Sequence, residues 1–559
     1  MAETLPQTAN RIAYVARRPF GVWLIFSFVA AVIVAAPIAA LLFEAMRGSN
    51  GLWSHLASTL LPVALRNTLV LLTGVGLLVA LVGTGAAWLV TAYDFPGRSI
   101  VTWALLLPLA VPTYIIAYAY LDLLHPIGPI QTALRGFLGY ESPRDLRLPD
   151  IRSMTGCILL LGLVLYPYVY VATRAMFLMQ SSNVLDAART LGVGRRAVFW
   201  RVAVPLARPA IAIGTSLALM EALNDIGASE FLGVRTLTIA IYNTWINGSD
   251  LPGAAQIALA ALAMVFGLLS LERMARKQQR FSNSAQRNSR FVPRKLSLLK
   301  GCIALALCCV PILAGFGAPF LHLVFAALKR LQFSGLSPQF VSAAINTILL
   351  STAATVVTLA LGIAVSYTRR LRPGRLAKTL MRISTLGYAA PGTVVAIGVL
   401  FALASVDRVL NAGAKELFGS NIGLVLMGSS VAVVYAYCVR FLAVSAGGVE
   451  SGLDRISRSL DRASRSLGNT AGETFWTIHL PLAKPAIAAA GLLIFVDCVK
   501  ELPATLLLRP LNLETFATQL YAEASRGTYE DGSVYALCIV MIGIIPLILV
   551  SRIGVQATP

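Results

Sequence analysis

Twelve apolar runs, each close to the length that crosses a bilayer, divide this sequence into two sets of six. They lie near 23–43, 68–92, 101–120, 156–177, 209–231 and 254–271, then near 301–328, 346–368, 383–404, 422–446, 486–507 and 534–551. A spanning helix needs roughly 20 mostly apolar residues, and only closed backbone hydrogen bonding survives in hydrocarbon. With 57% hydrophobic and 13% charged residues among 559, a soluble globule is excluded. The expected fold is an all-α integral membrane protein of twelve transmembrane helices. The first run is longer than the apolar core of a cleaved signal and is followed by further spans, which implies a retained helix. The seven cysteines lie in or beside apolar runs without a Cys-x-x-Cys pair, which suits small buried residues.

The net charge of +21 could suggest nucleic acid, but its distribution points to topology. With the N-terminus, carrying Arg11, Arg17 and Arg18, on the cytoplasmic side, 31 of the 46 Lys/Arg but only 8 of the 25 Asp/Glu fall in cytoplasmic segments. That positive-inside bias places both termini in the cytoplasm. The basic segment 272–300 reads as a solvated linker near anionic head groups. Aromatic residues scarcely interleave with its charges, so no nucleic-acid partner is expected.

The second set of runs repeats the first. Asp186-Ala187-Ala188-Arg189-Thr190-Leu191-Gly192, Phe199-Trp200 and Pro205-Leu206-Ala207-Arg208-Pro209 recur 276 positions later as Arg462-Ala463-Ser464-Arg465-Ser466-Leu467-Gly468, Phe475-Trp476 and Pro481-Leu482-Ala483-Lys484-Pro485. Asn67-Thr68 matches Asn346-Thr347, Pro96-Gly97-Arg98 matches Pro373-Gly374-Arg375, and Pro112 matches Pro391. The chain therefore divides into a first six-helix unit over 1–271, the linker 272–300 and a second unit over 301–559. Equal topology relates the units by an axis along the membrane normal, with a pathway between them.

Each copy of the longest repeat lies in a cytoplasmic connection, 174–208 or 447–485. An Ala-rich start, Gly192 or Gly468 as a helix stop, and Pro205 or Pro481 ahead of the next span predict helix, glycine turn, helix. Phe199-Trp200 and Phe475-Trp476, with Val202 and Ile478, would form an apolar knob for a partner's groove. The same aromatics would also suit the membrane interface.

These stretches resemble the cytoplasmic signature of the membrane subunits of ATP-binding-cassette importers: Glu-Ala-Ala, three residues, Gly, nine residues, Ile-x-Leu-Pro. The resemblance implies that the loops hold coupling helices docking into an ATPase, through Asp186, Ala187, Ala188 and Gly192 in one copy and Arg462, Ala463, Ser464 and Gly468 in the other. The family's Glu is Asp186 in the first copy and Arg462 in the second, where Asp461, one residue earlier, is the alternative acid. No Gly-x-x-x-x-Gly-Lys-(Ser/Thr) loop occurs. The chain is thus expected to bind no cofactor, and ATP would be used by a separate ATPase in two copies.

Carboxylates within apolar runs are costly and read as functional. Glu221 and Asp225 lie four apart in the fifth run, and Asp497 and Glu501 repeat them. Facing one another across the pathway, they would suit a hard cation; at outer helix ends they would instead be solvated or paired, with Lys500 and Arg235 as partners. The four histidines are too scattered for a metal cluster, and His479 reads as structural. The fused layout most resembles ferric-iron importer permeases of the bacterial inner membrane, with thiamine importer permeases as the rival. The resemblance implies a periplasmic binding protein docking on loops 121–155, 225–253 and 508–533, and alternating access. An ion-gradient-driven transporter, or a receptor that moves nothing, is the alternative of another class.

Overall fold

The computed structural model describes residues 21–48, 52–140, 142–179, 194–276 and 293–556. Among them, eleven helices are long and apolar enough to cross a membrane, or twelve if a bent pair is one span. The first half comprises α1 (Val22–Arg47), α2 (Leu61–Ala92), α3 (Arg98–Ala104), α4 (Thr113–Leu123), α5 (Met154–Met179), α6 (Val204–Asn224), α7 (Leu237–Ile246) and α8 (Leu251–Arg276). The second comprises α9 (Leu298–Ile312), α10 (Ala318–Ser334), α11 (Phe340–Leu371), α12 (Arg375–Ser384), α13 (Gly392–Phe418), α14 (Ser430–Asp454), α15 (Arg458–Ser466), α16 (Leu480–Val499), α17 (Phe516–Arg526) and α18 (Tyr529–Gln556).

The expected third span, 101–120, is not one straight helix. Residues 98–110 and α4 meet at 93°. Pro112 supplies no N–H and fixes its own φ, while Val111 before it is extended at φ −108° and ψ 120°. Pro391 breaks the second half at the matching place, so the expected 383–404 span becomes 392–418, preceded by α12. The fifth spans end early, at Asn224 and Val499, and the expected outer loops 225–253 and 508–533 hold α7 and α17. Both helices are largely buried, so much of these segments is built into the bundle.

The repeated Asn-Thr pair accounts for that burial. Thr68 accepts the N–H of Leu237 at 3.0 Å, and Asn67 donates to the carbonyl of Arg235 at 3.2 Å. Thr347 accepts from Phe516 at 2.9 Å, and Asn346 donates to Glu514 at 3.0 Å. Side chains of α2 and α11 thus satisfy backbone groups at the starts of α7 and α17. Thr347→Val should leave the buried Phe516 N–H without an acceptor and cost about 1–3 kcal/mol. Thermal melting of the purified protein checks this, with Thr347→Ser keeping the wild-type midpoint.

Packing does not follow the division at 272–300. Helix α1 lies against α11, α12 and α13 of the second half. Thr368 Oγ1 donates to the Trp23 carbonyl at 2.7 Å, Ser27 Oγ to Ala364 at 3.0 Å, and Tyr435 to Ile33 at 2.9 Å. In return α9 and α10 pack on first-half helices, with Tyr120 donating to the Ala314 carbonyl at 2.6 Å. Each half's first span thus reaches across to the other half while keeping its own half's last span as a neighbour, α8 beside α1 and α18 beside α10. The ends of the expected linker are ordered: α8 runs to Arg276, Arg294–Lys295 pair in parallel with Tyr93–Asp94, and Leu298 opens α9. Residues 277–292 lie outside the described residues.

Candidate functional site

Helices α6 and α16 stop inside the bundle because an acid at each end caps the turn that follows. Asp225 accepts the backbone N–H groups of Ala228 and Ser229 at 3.3 and 2.8 Å and the Thr113 hydroxyl at 2.6 Å. Glu501 accepts from Ala504 and Thr505 N–H at 2.9 and 3.0 Å and from the Thr505 hydroxyl at 2.7 Å. These are the N-terminal donors of the short helices Gly227–Phe231 and Pro503–Leu508, which the chain cannot otherwise satisfy.

The two breaks meet across the pseudo-twofold. Asn224 Oδ1 accepts the Gly392 N–H at 2.6 Å, and the Tyr114 hydroxyl donates to the Lys500 carbonyl at 3.3 Å. Around this seam lies an open cavity with about 820 Å³ of empty space, the solvent at its mouth included. Glu221, Asp225, Asp497 and Glu501 all line it, so the four carboxylates read from the sequence do share one space. They are not equivalent. Asp497 pairs with Lys500 at 2.8 Å, whereas Glu501 is held by Arg440 of α14 at 2.5 Å. Lys500 thus partners Asp497 and not Glu501, and Arg235 is not among the lining residues. Glu221 has no hydrogen bond or ion pair among the described residues.

Arg440 was missed at the sequence level, although a lone arginine in the apolar run 422–446 is itself a signal. At the offset of 276 its counterpart is Val164, which lines the same cavity. Tyr168 and Tyr388, also lining it, went unread because tyrosine is ordinary in a span.

On the face of the molecule where the repeated stretches lie, Asp186, Ala187, Ala188 and Gly192 fall outside the described residues. The second copy is described throughout. Helix α15 ends at a turn where Gly468 has φ +90°, a conformation that favours glycine, and Thr470 with Glu473 forms a capping box for the next helix. Helix, glycine turn, helix is thus what this copy adopts. Arg462 and Ala463 are exposed, while Ser464 is buried and bonded to the Thr474 hydroxyl at 2.8 Å. Pro205 and Pro481 stand in the first turn of α6 and α16, where no N–H is needed.

The expected apolar knob is split by burial. Phe475 is only 4% exposed and packs against Trp23 and Tyr367, with ring centroids 5.1 and 5.0 Å apart. Phe199 packs on Trp88, the counterpart of Tyr367, at 5.2 Å. Both phenylalanines anchor the connection to the spans, because a large ring gains most where it displaces water. Trp200 and Trp476 alone face outward, at 63% and 66% exposure. Asp461 is not free to replace the missing acid of the motif, since it is bonded internally to Arg370 and His479.

The sequence family described as "Binding-protein-dependent transport system inner membrane component" matches residues 80–280 and 357–557. The chain is 22% identical over 491 residues to the Fe(3+)-transport system permease protein FbpB 2 of Haemophilus influenzae, covering 87% of this chain and 89% of that one. It is 30% identical over 197 residues to the molybdenum transport system permease protein ModB of Escherichia coli K12, covering 34% of this chain and 82% of the relative. A putative 2-aminoethylphosphonate transport system permease protein, PhnU of Salmonella choleraesuis, is 29% identical over 263 residues, covering 45% and 91%.

Proposed function

This chain belongs to the family of binding-protein-dependent transport system inner membrane components, and on that premise we propose that it passes ferric iron through the cavity between its halves. It is a multi-pass transport permease of an ATP-binding-cassette importer, and not an enzyme. The observation that carries the cation reading is the charge of the cavity: four carboxylates against Arg440 and Lys500. Two ion pairs cancel, Asp225 is absorbed in capping, and Glu221 is left to meet a hard cation with oxygen. Similarity over nearly the whole chain to an Fe(3+) permease supports the same substrate.

In this reading a loaded binding protein docks on the side opposite the repeated loops, which face the cytoplasm with both termini. Two ATPase subunits close beneath those loops, and the halves rock about the seam between Asn224 and Gly392 to open the cavity alternately to each side. The ATPase contacts are carried over by resemblance: Asp186, Ala187, Ala188 and Gly192 in one copy, and Arg462, Ala463, Ser464 and Gly468 in the other. Uptake of labelled ferric iron into proteoliposomes containing the permease, its ATPase and its binding protein should require ATP. Uptake that continues with ATP removed and an ion gradient imposed would replace this reading with a secondary transporter.

A further inference from the structure

The Arg370–Asp461–His479 cluster is not accounted for by the cavity or by the repeated motif. Asp461 accepts two hydrogen bonds from the Arg370 guanidinium, Nε at 3.0 Å and Nη2 at 2.8 Å, and a third contact from His479 Nε2 at 2.7 Å. The same guanidinium donates to the carbonyls of Leu453 and Ile456. His479 Nδ1 lies 3.2 Å from the Tyr367 hydroxyl, which donates to the Ala471 carbonyl at 2.7 Å. Arg370 and Tyr367 belong to the end of α11, Leu453 and Ile456 to the end of α14 and the turn after it, and His479 to the entry of α16. Three spans therefore converge on one carboxylate of α15.

The geometry is that of a rigid joint. A fork of two charge-assisted bonds fixes both distance and plane, and the Arg370 side chain is 6% exposed, so water cannot substitute for lost partners. Burial opposes the ionisation of Asp461, yet the hydrogen bonds and charges of Arg370 and His479 hold its carboxyl below the usual carboxylate range.

The first copy carries none of these three side chains at the matching positions. At the repeat offsets, Leu185 stands for Asp461, Thr91 for Arg370 and Ala203 for His479. The Thr91 hydroxyl is spent on the Ala87 carbonyl of its own helix at 2.7 Å. Among the described residues the two copies share the aromatic anchor, as Trp88 with Phe199 and Tyr367 with Phe475.

We propose that Asp461 is a positioning residue that locks the second cytoplasmic loop to three spans, so that this loop transmits ATPase closure stiffly to the bundle. The inference rests on the reading that these loops meet an ATPase. A loop hinged at its ends could follow the ATPase without moving the bundle; one tied to α11, α14 and α16 through a carboxylate gripped by the buried Arg370 must carry them along. Losing the lock should separate hydrolysis from transport and leave ATPase binding intact.

The test compares wild type, Asp461→Asn and Asp461→Glu as full chains assembled with the ATPase and binding protein in proteoliposomes. Expected for Asp461→Asn is unchanged co-purification of the ATPase with uptake per ATP hydrolysed reduced about ten-fold, within the usual range of coupling free energies; Asp461→Glu should restore most of it. A merely structural role would lower binding, hydrolysis and uptake together, and that pattern, or an unchanged ratio, overturns the proposal. Should Asp461→Asn fail to insert, Arg370→Lys keeps the charge but loses the fork, and the same ratio decides. A wild-type chain that retains no ATPase, or imports without ATP, refutes the importer reading itself.

Discussion

Arg440→Met should lower the thermal midpoint of the purified protein sharply, because it strips Glu501 of its countercharge inside the bundle. Glu501 is 4% exposed, its remaining contacts are the caps of Ala504 and Thr505, and Arg440 is itself 9% exposed. Removing one partner of a buried ion pair costs about 3–5 kcal/mol, most of it the penalty of the charge left behind. Replacing both partners is less harmful, since nothing then remains to be desolvated. Arg440→Met combined with Glu501→Gln should therefore recover part of the loss, the amide still accepting one cap hydrogen bond. Melting curves of the two single variants and the double variant form a cycle whose coupling term is the result of interest. A double variant no more stable than Arg440→Met alone would mean that Arg440 acts through packing, for instance its stacking 5.3 Å over Phe441.

Arg440 also marks the limit of what the sequence discloses. The duplication and the spans rest on long-period signals that tertiary context barely disturbs, and the two family matches at 80–280 and 357–557 agree with the repeat read from Gly192, Phe199-Trp200 and their counterparts. Breaks within spans are harder to read. Val111-Pro112 carried a visible signal, but the stops after Asn224 and Val499 come from Asp225 and Glu501 capping the chain ahead, a role that an acid in an apolar run does not announce. The same acids were read as pathway groups on that ground. Spacing could place all four carboxylates in one region, yet only the structure separates two caps from an ion pair and from the unpaired Glu221.

The reach of the first spans across the halves was invisible for another reason. An apolar helix is compatible with any apolar groove, so α1 carries no sequence signal for α11 to α13 over its own half; the choice is made by contacts such as Ser27 with Thr368 at 2.6 Å, far apart in the chain. Phe475 illustrates the converse. An aromatic in a polar loop was read as a docking knob, but its neighbours in space, Trp23 and Tyr367, come from the ends of two spans and enclose it.

Glu221→Gln with Asp497→Asn should abolish most ferric-iron uptake at little cost in stability, since the Asp497–Lys500 pair that is lost is nearly a third exposed. Both side chains line the cavity and neither caps a helix, so neutralising them removes charge without orphaning a backbone donor. Asp225→Asn and Glu501→Gln offer the contrast. There the acid holds backbone N–H groups, and weakening the cap in Asp225→Asn should cost about 1 kcal/mol, while Glu501→Gln also strips the buried Arg440 of its countercharge and should cost more, lowering the melting point and, through it, the amount of protein. Unit charges 4 Å apart at an effective dielectric of about 20 interact by about 4 kcal/mol, and a trivalent ion gains a multiple of that from each carboxylate. Loss of even one such increment at the narrowest point of passage would slow it by about a hundred-fold or more. Initial uptake rates at equal protein, measured beside ATP hydrolysis and melting curves, separate the two classes. If the Glu221 and Asp497 variants import iron at the wild-type rate, the cavity charge does not select a cation, and Arg440 and Lys500 would instead point to an anionic substrate.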